Sequence, residues 1–106
     1  MDILMESSKL NNNIIEQVRK YITPFDSFKH VFLFGSALEL NTINNDIDIL
    51  IIYTEYSNKF DNDLILFSNE LEKEIGMLVD ITSLSVKEEK EIQFLDRIKS
   101  HCLKLK

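Results

Sequence analysis

The sequence predicts an α/β (α+β) domain in which a small mixed β-sheet is flanked by helices. Three observations support this prediction: short and nearly continuous apolar runs, amphipathic segments with helical periodicity, and the alternation of the two along the chain. A chain of 106 residues fits one small domain, and an apolar content of 44% is enough to form a core. We therefore expect residues 1–106 to form a single domain.

The first predicted element is a helix that ends at Thr23-Pro24. The polar triplet at 11–13 can cap its beginning. Proline lacks an amide proton and biases the preceding residue away from helix, so the helix cannot continue past it. The apolar residues that recur at helical spacing are Ile14, Ile15, Val18 and Ile22.

Two strands are predicted next, and both are rich in apolar residues. Residues 31–34 form a continuous apolar run that ends at Gly35, which is typical of a strand buried on both faces. Residues 46–53 hold five Ile or Leu among eight and have high β-propensity. Between the strands we expect a short helical turn at 36–40 and a loop at 41–45.

The second half of the chain predicts a helix, a strand and a final helix. Residues 63–75 are amphipathic, and Gly76 is typical of a helix C-terminus. Residues 77–82 form the third predicted strand. The final helix would place four residues on one face: Ile92, Leu95, Ile98 and Cys102.

Composition and charge exclude several classes of function. With 12 basic and 18 acidic residues the net charge is −6, which argues against a general nucleic-acid-binding surface. The longest apolar run, 49–53, is far shorter than the roughly 18 residues of a membrane span. The N-terminus lacks the pattern of a secretory signal, and the single Cys102 cannot form an internal disulfide. We therefore expect a cytoplasmic protein without a membrane partner.

Two aspartates at the start of the second strand are the strongest chemical signal. Asp46 and Asp48 are two apart, so both point to the sheet face that Leu50 and Ile52 continue. Carboxylates held close together oppose folding unless a cation compensates, and paired oxygen ligands favour Mg²⁺. Asp80, in the third strand, can join them if the strands are neighbours. Taken alone, the pair also fits solvated loop and cap residues.

Gly35-Ser36 follows the first strand directly. A glycine lets a phosphate approach the backbone closely, and a serine hydroxyl with amides at a helix start can bind phosphate oxygens. On its own, the dipeptide is also an ordinary turn signal.

Three segments, in their order along the chain, resemble the minimal nucleotidyltransferases of the DNA polymerase β-like superfamily: Phe32–Ser36, Asn45–Ile51 and Val79–Ile81. The resemblance covers about residues 28–84 and implies the polymerase β-like nucleotidyltransferase fold. It also implies a site. Gly35 and Ser36 would hold the triphosphate of ATP. The catalytic residues would be Asp46, Asp48 and Asp80, which would bind Mg²⁺. Two Mg²⁺ ions are expected when nucleotide is bound.

The resemblance further implies transfer of AMP from ATP to a protein. Stand-alone domains of this kind often act as antitoxins of a HEPN-type RNase toxin, which would then be the partner and acceptor. Residues 37–41 lack the basic residue and further glycine common in the family, and Glu39 places an acid there. This favours an alternative, a weak or inactive module that neutralises its partner by binding alone. A different phosphate enzyme with an Asp-x-Asp motif is a third hypothesis.

Overall fold

The computed structural model describes residues 13–35 and 46–106, in which a four-stranded mixed sheet forms the centre. Its strands are β1 (His30–Phe34), β2 (Asp46–Tyr53), β3 (Leu78–Ser85) and β4 (Cys102–Lys104). The strand order is β3-β2-β1-β4, with β1 antiparallel to both neighbours and β2 parallel to β3. The predicted mixed sheet with flanking helices is confirmed.

The helices of the described chain divide between the two faces of the sheet. Their bounds are 13–22 for α1, Asn58–Ile75 for α2, Val86–Ile92 for α3 and Phe94–Ile98 for α4, with a 3₁₀ turn at Lys99–His101. Helices α1 and α2 pack on the first face, and α3 and α4 supply the apolar side chains that cover part of the second. None of these helices is both long and apolar enough to cross a membrane.

The first face holds the main hydrophobic core. Alternate residues of β2 point into it and are fully buried: Ile47, Ile49 and Ile51. They meet Val18 of α1 and Leu71 of α2, which are also inaccessible to solvent. Four phenylalanine rings, with neighbouring centroids 5.0–5.9 Å apart, join α2 to the segment between α1 and β1: Phe25, Phe28, Phe60 and Phe67. This core fixes the position of β2.

The second face is apolar at one end and acidic at the other. Its smaller cluster contains Phe32, Leu50, Ile52 and Leu84, against which side chains of α3 and α4 pack. Because side chains alternate along a strand, Asp46 and Asp48 continue the row of Leu50 on this face. The two aspartates therefore lie beyond the end of the smaller core.

The last part of the chain, from Val86 onward, differs from the continuous helix that the sequence predicts. Helix α3 ends at Ile92. The next residue, Gln93, has a left-handed φ of 56° and donates its N–H to the Glu89 carbonyl at 2.7 Å. The chain then bends, and Cys102 lies in β4 opposite Phe34. The prediction that Cys102 shares a helix face with Ile92 is wrong, because the end of the chain pairs as a strand with the edge of β1 that β2 leaves open, and this pairing satisfies the backbone groups of that edge.

Two boundaries differ from the prediction by three residues or more. Helix α2 begins at Asn58 instead of residue 63, because the Ser57 hydroxyl accepts a hydrogen bond from the Phe60 N–H at 3.0 Å and caps it there. Its end at Gly76 is as predicted, with φ 77° and an N–H bonded to the Glu72 carbonyl. Strand β3 runs three residues further than 82, to Ser85. The turn and loop expected at 36–45 lie outside the described residues.

Candidate metal centre and active site

Three aspartates meet where β2 and β3 begin, on the second face of the sheet. Asp46 and Asp48 are alternate residues of β2, and Asp80 is the register partner of Asp48 on β3. Each offers one carboxylate oxygen, and these oxygens all lie within 4.8 Å of one another. The structure thus brings together the three acids that the sequence singled out from two separate segments.

The surrounding fold explains why these side chains meet. Strand β2 is internal, paired with β1 on one side and β3 on the other, and its buried isoleucines fix which residues face the helices. On β3, the Val79 N–H donates a hydrogen bond of 2.8 Å to the Glu72 carboxylate of α2. This bond ties the last turns of α2 to the residue that precedes Asp80. No sequence pattern indicated Glu72, because the contact exists only once the helix has packed.

The three acidic side chains of the cluster oppose one another's ionisation most clearly at Asp48. Burial raises the pKa of the Asp48 carboxyl, and the charges of Asp46 and Asp80 raise it further. Both causes penalise the ionised form of Asp48. A bound divalent cation would remove that penalty and favour the ionised forms.

The donor set fits Mg²⁺ better than zinc or copper. All three side chains offer only carboxylate oxygens, which hard cations prefer, whereas zinc and copper sites usually include nitrogen or sulfur ligands. Asp46 and Asp48 are partly buried and Asp80 is exposed, so the cluster opens to solvent on the side of β3. An Mg²⁺ site needs this opening, because the ion keeps several waters or takes substrate phosphate oxygens.

Gly35 directly after β1 lies beside the cluster and has a φ of 77°, a left-handed conformation that favours glycine. It directly follows Phe34, the residue paired with Asp48 across the sheet. Ser36 lies outside the described residues, so its contact with phosphate stays a prediction.

An aromatic pair that no sequence pattern predicts borders the same end of the sheet. The rings of Phe34 and Phe94 meet edge to face with centroids 5.6 Å apart. Phe34 is in register with both Asp48 and Cys102, so this pair lies on the site's own sheet face. Phe94 reaches it only because the chain bends at Gln93, which no apolar periodicity indicated.

Comparison with known proteins gives the family. Residues 16–104 match the family described as "Polymerase beta, Nucleotidyltransferase". No curated protein matches the sequence significantly.

Solved structures share the fold at low sequence identity. The MNT antitoxin in a complex with tri-AMPylated Shewanella oneidensis HEPN toxin matches with a TM-score of 0.52 and 17% identity, over 94% of this chain and 71% of that one. A chain of the toxin–antitoxin complex MntA–HpeT, in a variant with two aspartates changed to glutamate, gives a TM-score of 0.56 at 16% identity, with 91% and 72% covered. A protein assigned as a nucleotidyltransferase from Sulfolobus solfataricus matches with a TM-score of 0.53 and 24% identity, over 93% of this chain and 83% of that one. With the family match spanning most of its length, the chain belongs to the polymerase β nucleotidyltransferase family.

Proposed function

We propose that this protein is a Mg²⁺-dependent nucleotidyltransferase that transfers AMP from ATP to a protein acceptor. The observation that carries the proposal is the cluster of Asp46, Asp48 and Asp80, whose carboxylate oxygens lie within 4.8 Å of one another. Membership of the family supports transfer of a nucleotidyl group. A cytoplasmic location, expected from the lone and free Cys102, is part of the same proposal.

In this proposal each aspartate has a stated role. Asp46 and Asp48 hold Mg²⁺, with a second ion when nucleotide is bound, and Asp80 contributes the third carboxylate. When bound, the ions supply positive charge that neutralises the carboxylates and the triphosphate. Without them, a chain of net charge −6 would repel the triphosphate. Asp80 is the exposed member, so it is best placed to accept the proton of an incoming acceptor hydroxyl.

The backbone after β1 is the proposed contact for the nucleotide. Gly35 and Ser36 bind the triphosphate through backbone amides and the serine hydroxyl. The acceptor oxygen then bonds to the α-phosphorus, the bond between the α-phosphorus and the bridging oxygen breaks, and pyrophosphate leaves. The products are an AMP ester of the acceptor and pyrophosphate.

The proposed acceptor is a HEPN-type RNase toxin, with this chain as its antitoxin. One structurally similar chain comes from a complex of an MNT antitoxin with a HEPN toxin that is described as tri-AMPylated, and another comes from the toxin–antitoxin complex MntA–HpeT. A tyrosine hydroxyl of the toxin would be the attacking group.

Transfer of label from ATP to a candidate toxin tests this function. We expect labelled toxin in the presence of Mg²⁺, and no label with EDTA or with the variant Asp46→Ala or Asp48→Ala. Asp26→Ala is the matched control, because Asp26 is an exposed aspartate in the turn between α1 and β1, far from the cluster in sequence. Label transfer that survives loss of Asp46 and Asp48 would contradict the proposal.

A second candidate function is neutralisation of the partner by binding alone. The observation that favours it is the acidic Glu39, with no basic residue among 37–41, where triphosphate binding would benefit from positive charge. In that case no label is transferred, and both aspartate variants still neutralise the toxin.

A further inference from the structure

The backbone at Gly35 lies unusually close to the Asp48 carboxylate. A Cβ built on Gly35 would stand 2.5 Å from Oδ2 of Asp48 and 3.3 Å from its Cγ. The Asp48 Cβ, at 3.5 Å, would be in ordinary van der Waals contact. Any side chain at position 35 would therefore clash with the end of the Asp48 side chain.

The strand cannot relieve such a clash by moving as a whole. Strand β2 is paired on both sides, and Ile47 and Ile49 on either side of Asp48 are fully buried in the main core. Interiors packed at this density resist a shift of the backbone. The Asp48 side chain would have to rotate instead, which takes its oxygens away from Asp46 and Asp80.

We propose that Gly35 is a positioning residue for Asp48, and that its missing side chain gives the carboxylate its place in the cluster. The proposal rests on the proposed function of the cluster as a divalent-metal site. It differs from contact with the triphosphate through the backbone, because an alanine at position 35 keeps the backbone N–H. Metal binding without nucleotide is the property that Gly35 controls.

The chain contains a matched control for the backbone conformation. Gly76, at the end of α2, has the same φ of 77°, and a Cβ built there meets nothing within 4 Å. Gly76→Ala therefore introduces the strain of a left-handed alanine and nothing more. Any additional effect of Gly35→Ala reports the contact with Asp48.

A double-mutant cycle on the metal-free protein in EDTA tests the contact itself. We expect Gly35→Ala to lower the melting temperature more than Gly76→Ala does. In an Asp48→Ala background, which removes the two atoms nearest to the added Cβ, the loss should shrink to that of Gly76→Ala. An equal loss in both backgrounds would overturn the proposal. If Gly35→Ala fails to fold, rescue by Asp48→Ala supports the contact, and failure of rescue overturns it.

Titration with Mn²⁺ alone, followed by electron paramagnetic resonance, tests the consequence for the cluster. We expect binding by Gly35→Ala to be weaker by about 10–100-fold, the usual effect of losing a group that orients a metal ligand, and Gly76→Ala to stay within about twofold. Unchanged Mn²⁺ affinity with weakened ATP binding would assign Gly35 to the phosphates and overturn the positioning role. If the unmodified protein binds no Mn²⁺, the proposed function fails, and the double-mutant cycle still decides the role of Gly35.

Discussion

Replacing Asp48 by asparagine should stabilise the metal-free protein and abolish its response to Mg²⁺. The substitution keeps the size of the side chain and removes one negative charge from a cluster of three. It also replaces a partly buried carboxylate, whose pKa is raised by burial and by its two acidic neighbours, with a neutral amide. The negative charge of Asp48 destabilises the metal-free protein, and the same charge would attract a bound cation.

The size of the effect follows from the distances. Two unit charges 4.8 Å apart, the upper limit within the cluster, repel by roughly 0.9 kcal/mol in a water-like dielectric. Asp48 has two such neighbours, so we expect Asp48→Asn to raise the free energy of unfolding by about 1–2 kcal/mol at low ionic strength. In a domain of this size each kcal/mol raises the melting temperature by about 4–8 °C.

The sign of the pH dependence is also fixed. Because the pKa of Asp48 is higher in the folded protein than its ordinary value, the folded state holds this proton more tightly than the unfolded state. Stability therefore falls as the pH rises from the ordinary pKa through the raised one. The advantage of Asp48→Asn is present at neutral pH and disappears below the ordinary carboxylate pKa of about 3.9.

Thermal denaturation in EDTA and in Mg²⁺, at neutral and acidic pH, measures all three effects. The exposed Asp26→Asn is the control for loss of one charge elsewhere. A lower stability of Asp48→Asn than of the unmodified protein, in EDTA at neutral pH, would refute this prediction. So would an equal gain of stability from Mg²⁺ in the variant and in the unmodified protein.

Three further substitutions test the local structure around the site by urea denaturation. Ser57→Ala removes the cap of α2 and should cost about 1 kcal/mol of unfolding free energy; no loss would mean that the helix begins elsewhere. Gln93→Gly relieves a left-handed residue at the bend after α3 and should add about 1 kcal/mol, whereas a loss would show that the Gln93 side chain stabilises the bend. Glu72→Ala leaves the Val79 N–H without its acceptor and should cost about 1–3 kcal/mol, with Glu72→Gln, which keeps an acceptor oxygen, costing less. Equal losses for both Glu72 variants would contradict this role.

The sequence was most informative where local pattern and burial agree. In β2, alternation along 46–53 fixes which residues face the helices, so Asp46 and Asp48 were placed together correctly on the other face. The segment around Asp80 was also predicted as a strand, and parallel pairing of β3 with β2 brings Asp80 opposite Asp48. The sequence predicts that the three aspartates meet only on the condition that their strands are neighbours, because a sequence does not state which strands pair.

The rest depended on contacts between distant segments. Ile92, Leu95, Ile98 and Cys102 have helical spacing, yet the left-handed Gln93 and the free edge of β1 direct the end of the chain into β4. Several residues between Ser57 and Asp63 can cap a helix, and propensity alone does not choose among them. The closeness of Gly35 to Asp48 depends on the β1–β2 register, which a sequence pattern does not give.

Anomalous diffraction from crystals of the intact protein soaked in Mn²⁺ is the most direct test of the three-aspartate centre. We predict a manganese peak at roughly 2.0–2.3 Å from carboxylate oxygens of Asp46, Asp48 and Asp80. Manganese bound at other residues, with none between these three side chains, would contradict the account.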